Sequence, residues 1–274
     1  MKKFPAGSKK QAAAYSIGLD YGTESARALL VDTRTGEELT TCVFPYPTGT
    51  RGVILSKDPN LARQNPADYL AAAEFLLKRT LAMAKKTIKG FSPAQIVGIG
   101  VDTTGSTPLP IDASGRALGM NPKFAKDPAA MAWLWKDHTA HAEAAEISER
   151  VRAMGLPYLA KCGGTYSSEW YWSKILRCER HHPQVARRAH GWVECCDFVV
   201  GFLTENRRPE NLPRSICAAG HKAMYNHEWG GLPSAEFLDS LAPGLSRYRD
   251  RFAKGARAVA SNHRAGGLAA ACAA

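Results

Sequence analysis

The chain of 274 residues has no Cys-x-x-Cys pair and no cysteine spaced with histidine as in a zinc finger, so a structural zinc site is not expected. Its 7 cysteines, at 42, 162, 178, 195, 196, 217 and 272, are odd in number and scattered. That argues against a disulfide scaffold and for reduced, buried thiols in a cytoplasmic protein. Long apolar runs are missing as well: stretches such as Leu268 to Cys272 fall far short of the roughly 20 residues of a membrane helix, so no membrane partner is expected. Residues 1–14 carry Lys2, Lys3, Lys9 and Lys10 without an apolar core. They read as a flexible N-terminus and not as a signal peptide. No repeat at a period of roughly 20 to 50 residues is visible.

What is present is a globular balance, 45% hydrophobic and 22% charged, which supports a buried core and excludes disordered and collagen-like classes. Lys and Arg number 36 against 25 Asp and Glu, a net charge of +11. A basic chain raises the question of nucleic acid. Here the basic clusters, Arg177 to Arg188, Arg207 to Arg214 and Arg247 to Arg257, lack interleaved aromatics and any helix-turn-helix or zinc pattern. No nucleic-acid partner is expected, and the charge reads as a solvated basic surface or as steering for an anionic substrate.

Tyr15 to Asp20 reads as a strand ending in a carboxylate, Ala26 to Val31 as a second, apolar run and Glu38 to Phe44 as a third strand enriched in Thr and Val, with turns at Tyr21-Gly22-Thr23 and Asp32 to Gly36. This predicts a three-stranded antiparallel meander. Asn65 as N-cap and Pro66 at the first helical position open an amphipathic helix through Ala84. The near-continuous apolar run Ile96 to Val101 predicts a strand buried on both faces, ending in a second carboxylate, Asp102. Pro108 to Leu118 reads as a hairpin around Asp112 to Gly115. Helices are expected over 137–153, 167–179, 183–189 and 234–241, with a strand over Trp192 to Cys196. The order predicts an α/β fold with a mixed sheet.

Four strings carry candidate chemistry. In Asp20-Tyr21-Gly22-Thr23-Glu24-Ser25, Gly22 permits a tight turn beside an anion, and Thr23 and Ser25 offer N–H and hydroxyl donors to phosphate. Asp20 would repel phosphate unless a divalent cation lay between, so the arrangement suggests Mg²⁺ held directly or through water. The alternative is a plain hairpin turn. In Asp102 to Pro108, Thr104 and Ser106 flank Gly105, a spacing that suits a polyol approaching the backbone, or a loop capped by its own hydroxyls. In Trp133 to His138, Trp135 could wall a sugar face beside Asp137, though Asp137 would also serve as N-cap of the following helix. In Ala218-Ala219-Gly220-His221-Lys222, the small residues would let Lys222 reach a substrate oxygen, against the commoner case of a surface lysine.

In this order the strings resemble the FGGY carbohydrate kinases, and within them the ribulokinase branch. The resemblance rests on Ile17 to Thr23, Val97 to Asp102 with Thr104 to Pro108, Leu134 to Thr139 and Gly163-Gly164 with Ser167 to Trp170. It continues through Ala219 to Lys222, Trp229 to Pro233 and Arg264 to Leu268. It covers nearly the whole chain from about residue 15.

The resemblance implies the actin-like ATPase superfamily, with a ribonuclease-H-like mixed sheet flanked by helices over residues 15–274 as a single, incomplete first domain. It implies ATP and Mg²⁺ as cofactors, with Asp20, Gly22 and Thr23 in the first phosphate loop and Asp20 near the metal through water. Thr104, Gly105, Ser106, Trp135, Asp137 and Lys222 would bind a pentulose, L-ribulose, which ATP phosphorylates to L-ribulose 5-phosphate in arabinose catabolism. The family's general base, an aspartate, follows the Ala-Gly-x-Leu segment, and the nucleotide domain follows that. The chain ends at Ala274, so the general base is expected to be absent from it and the chain to be inactive alone. A second kinase half read from downstream and a homo-oligomer are both left open. The rival readings are an FGGY kinase for another pentulose such as D-ribulose, and a non-catalytic sugar-binding module or remnant.

Overall fold

A computed structural model describes residues 13–252 and 258–273. The flexible N-terminus expected over residues 1–14 thus falls, but for Ala13 and Ala14, outside the described residues. Strands β1 (Tyr15–Tyr21), β2 (Ser25–Asp32) and β3 (Glu38–Pro45) form the antiparallel meander that the strand runs and turns predict. In β1, Tyr15, Ile17, Leu19 and Tyr21 point to the core while Ser16, Gly18 and Asp20 point away, the period-two arrangement of a strand with one buried face.

The short strand β4 (Arg63–Gln64) leads into α1 (Pro66–Thr87). The Asn65 side chain accepts the Ala67 N–H at 3.0 Å, and Pro66 sits where its missing N–H leaves no bond unmade. Tyr69, Ala73, Leu76, Leu77, Thr80 and Ala84 recur on one face and are buried against the sheet. Strand β5 (Ile96–Thr103) then pairs in parallel with β1, giving the order β3-β2-β1-β5. The pairing register sets Asp20 directly beside Asp102 at the carboxyl ends of the two parallel strands.

The expectation that β5 is buried on both faces is corrected. Val97 is 68% exposed, and Gly18 and Gly100 have open space around them on the sheet face turned away from α1. Ile96, Ile99 and Val101 pack inward. The run reads as uniformly apolar because glycines, which bury nothing, occupy the outward positions.

The second half is helical and irregular. After β6 (Pro108–Ile111) and β7 (Ala132–Trp133) come α2 (His141–Ala153), α3 (Tyr171–His181), α4 (Pro183–Ala186) and β8 (Gly191–Glu194). Then follow α5 (Cys195–Thr204), β9 (Arg214–Ser215), α6 (Ile216–Ala223), α7 (Ala235–Leu241), α8 (Arg247–Asp250), β10 (Ala258–Val259) and α9 (Ala270–Ala273). The hairpin expected at Pro108 to Leu118 is reduced to one bridge, Ile111 to Ala117, because β6 pairs with β8 instead. The helix expected from Asp137 begins at His141, since Asp137 is buried elsewhere. The strand expected through Cys196 stops at Glu194, where α5 starts. Neither α5 nor α6 is anticipated by the sequence reading.

Among the described residues two large apolar cores result, beside a small cluster of Val53, Ala62 and Leu134. One lies between the sheet, α1 and α5; the other surrounds Trp133, Trp172 and Trp192 and gathers α2, α3, α4, α6 and α7. All seven cysteines are free. Among the described residues no helix is long and apolar enough to cross a membrane.

Candidate functional site

The turn between β1 and β2 is closed by the Gly22 N–H donating to Ser25 O at 2.9 Å. That N–H is therefore used within the turn and is not offered to a ligand. A Cβ at Gly22 would lie 3.2 Å from Ser25 O, so the tight turn favours glycine. The buried Gln64 amide donates to Thr23 O at 2.8 Å and takes the Tyr69 hydroxyl proton at 2.7 Å, fixing the turn from below. Asp20, half-exposed, lies 3.3 Å from the Arg27 guanidinium.

The loop after β5 is tied to the same turn by the Thr104 N–H, which donates to Tyr21 O at 2.9 Å. Ser106 adopts a left-handed φ of 62°, uncommon for a residue with a side chain. Two buried polar side chains hold the loop there. The Lys174 ammonium donates to Ser106 O at 2.8 Å, Leu134 O at 2.9 Å and Trp133 O at 3.2 Å, using all three of its protons on carbonyls. Glu194 accepts the Thr107 N–H at 2.8 Å. Burial drives the Lys174 pKa well below the usual lysine range and raises Glu194 to about 7, with the Lys222 and Lys174 charges opposing the second shift. Among the described residues the Ser106 hydroxyl and the second Glu194 oxygen have no hydrogen-bond partner.

Helix α6 breaks at Gly220, whose φ of −46° and ψ of −112° leave the helical region. The following carbonyls are held individually. Tyr166 donates its hydroxyl proton to Lys222 O, the Trp172 indole donates to Ala223 O at 2.8 Å, and the Cys162 thiol donates to His221 O at 3.2 Å. Lys222 is thereby laid over Gly105: a Cβ there would collide with Nζ and stand 3.3 Å from Cε.

Thr104, Gly105, Ser106, Trp135 and Lys222, all expected from the sequence, line one cavity of about 370 Å³. Glu169, Trp170 and His221 line it too, and sequence reasoning had not assigned them to the site. The available signal was the Ser167 to Trp170 string, a carboxylate beside an aromatic. Burial and the Lys222 charge lower the His221 pKa, which favours the neutral imidazole. The Trp135 indole donates to the Thr23 hydroxyl at 3.1 Å, joining the cavity to the turn that carries Asp20, Gly22 and Thr23.

Asp137 is the exception and is corrected. It is fully buried and ion-paired with Arg63, and it accepts the Ala62 N–H at 2.7 Å and the Thr139 hydroxyl at 2.6 Å. Arg63 stacks 3.5 Å above the Trp133 ring. Asp137 thus braces the strand that leads to Trp135 and neither caps α2 nor reaches the cavity.

A meander extended by a parallel strand, with polar loops gathered at the carboxyl ends of β1 and β5, is the arrangement of the actin-like ATPases, and solved sugar kinases share it. A xylulose kinase from Rhodospirillum rubrum superposes with a TM-score of 0.70 at 19% identity, over 94% of this chain and 46% of that one. A kinase from Brucella ovis described as a xyloylose kinase gives 0.68 at 19% identity over the same shares. The family model of the FGGY carbohydrate kinases, N-terminal domain, matches residues 15–229, and the chain belongs to that family. A ribulokinase of Vibrio parahaemolyticus is 43% identical over 236 residues, covering 86% of this chain and 41% of the relative. One from Shouchella clausii is 38% identical over 261 residues, covering 93% and 44%. The chain thus spans less than half the length of these relatives.

Proposed function

We propose that these residues form the sugar-binding and first phosphate-facing part of an ATP-dependent kinase that converts L-ribulose to L-ribulose 5-phosphate in L-arabinose catabolism. The reaction is assigned to a protein of the relatives' length, and for the 274 residues alone the proposal is sugar binding without turnover. The observation that carries the reading is Lys222 lying over Gly105 in a cavity rich in hydroxyl-binding groups, in a chain whose curated relatives are ribulokinases.

The residues present suit Mg²⁺-ATP. Asp20 and Asp102 stand side by side as oxygen ligands of the kind magnesium takes, directly or through water. Mg²⁺-ATP, when bound, supplies the phosphoryl group and neutralises the charge that develops as it moves. The Thr23 hydroxyl accepts from Trp135, which leaves its own proton free to donate to a phosphate oxygen. Gly22 keeps the turn tight. Thr104, Ser106 and Lys222 orient the sugar, Trp135 walls it, and neutral His221 does not add a second cation beside Lys222. Such positioning is the main contribution a kinase makes to phosphoryl transfer.

The test is ADP release from Mg²⁺-ATP with and without L-ribulose or D-ribulose, run beside calorimetric titration of each sugar, with Asp20→Ala as control. Binding of L-ribulose without turnover is the expected result. No sugar binding would sink the reading. Sugar-dependent turnover that Asp20→Ala abolishes would keep the kinase and overturn the assignment of turnover to a longer protein.

A further inference from the structure

The cavity contains one charged acceptor to which the reading above gives no task. Glu169 lies on the short segment before α3, its N–H donating to Ser167 Oγ at 3.2 Å. The next residue, Trp170, packs its ring edge-on against Tyr166 and against His221, both at 5.2 Å between centroids, so the segment is fixed by aromatic contacts. Among the described residues the Glu169 carboxylate has no hydrogen bond and no ion pair. Lys222 lines the same cavity and likewise closes no ion pair with it.

Two opposite charges that face one cavity without meeting leave room for a ligand that satisfies both. An anion would be repelled by Glu169 and a cation by Lys222, whereas a neutral polyol suits the pair: its oxygens accept from the ammonium, and its hydroxyls donate to the carboxylate. A carboxylate also accepts through both oxygens, which matches hydroxyls on adjacent carbons. We propose that Glu169 is a specificity-determining residue that accepts hydrogen bonds from two neighbouring hydroxyls of the sugar. This rests on the pentulose reading and names a contact that reading lacks.

The test titrates L-ribulose, and each of its mono-deoxy analogues, into the wild-type chain, Glu169→Gln and Glu169→Asp, with a thermal melt of each protein. Glu169→Gln keeps the shape and loses the charge, so L-ribulose should bind about tenfold more weakly or worse at an unchanged melting temperature. The penalty should shrink for each of the two analogues that lack a hydroxyl Glu169 accepts and persist in full for the others. Equal affinity of wild type and Glu169→Gln overturns the proposal, and so does a penalty identical on every analogue. Should Glu169→Gln melt early, Glu169→Asp, which keeps the charge one methylene shorter, is read against the analogues in the same way. A wild-type chain that binds no L-ribulose takes down the pentulose reading itself, and that outcome is visible before any substitution is compared.

Discussion

The sheet with α1 and the helical region beyond β7 meet at the cavity, yet they are held together by different means. In the sheet, neighbouring residues in sequence repeat one simple rule: alternate side chains face α1, and the cost of a mistake is spread over many apolar contacts. In the helical region single buried polar groups hold single stretches of main chain. Lys174 fixes Ser106, a residue 68 positions away, and Tyr166 fixes Lys222, 56 positions away. The first arrangement tolerates loss of one member gradually. The second concentrates its dependence in a few side chains, and those side chains shape the site.

Substitutions can break this contrast. The largest effect is expected from Lys174→Met, which leaves three buried carbonyls without donors and releases both Ser106 and the strand before Trp135. Stability should fall by about 3 kcal/mol or more in urea titration, with sugar binding lost even in the fraction that remains folded. Leu76→Ala, in the sheet core, is expected to cost a similar 2 to 4 kcal/mol by cavity formation while leaving the affinity of the folded fraction within about twofold. Equal losses of affinity in the two variants would erase the distinction.

Gly105→Ala sharpens it from the other side. The added methyl meets Lys222 Nζ, so affinity for L-ribulose should drop by about tenfold while stability changes by under about 1 kcal/mol. Calorimetric titration with a parallel melt separates the two quantities. An unchanged affinity would show that Lys222 moves aside freely and does not depend on the glycine.

The smallest effect concerns pH. Burial raises the Glu194 pKa from its ordinary 4.5 to about 7, so between these values the folded chain binds more protons than the unfolded one. Stability from this group is therefore present below about pH 4.5 and is lost as pH rises towards 7. Glu194→Gln should flatten the fall in stability over that window, measured by urea titration at several pH values. A slope unaltered by the substitution would assign the pH dependence to other groups.

The same contrast explains what the sequence revealed. The meander, α1 with its Asn65 cap, and the loop at Thr104 to Ser106 follow from local pattern and were legible. Lys222 was singled out by the family resemblance, since small residues before a lysine leave a surface lysine as the commoner reading and do not show that Gly105 lies beneath it. Gln64, Lys174 and Glu194 were not legible, since a buried polar residue acts through partners that only the fold brings near. Asp137 misled for a related reason: its position before a helix suits a cap, but Arg63 from a distant strand claims its carboxylate in the interior. The apolar run at Ile96 to Val101 misled through its glycines, which count as apolar in a pattern but occupy an open face.

The hydrogen bond from Trp135 to Thr23 has a thermodynamic consequence. It joins a wall of the cavity to the turn beside Asp20, so its strength enters the equilibrium of any ligand that touches either side. A molecule whose arrival turns the indole away frees the Thr23 oxygen, and a molecule that draws the Thr23 oxygen away releases the indole. If a ligand at one side changes the affinity for a ligand at the other by some factor, the second ligand must change the affinity for the first by the same factor. Order of arrival is then immaterial to the total, and one hydrogen bond suffices for each ligand to report on the presence of the other.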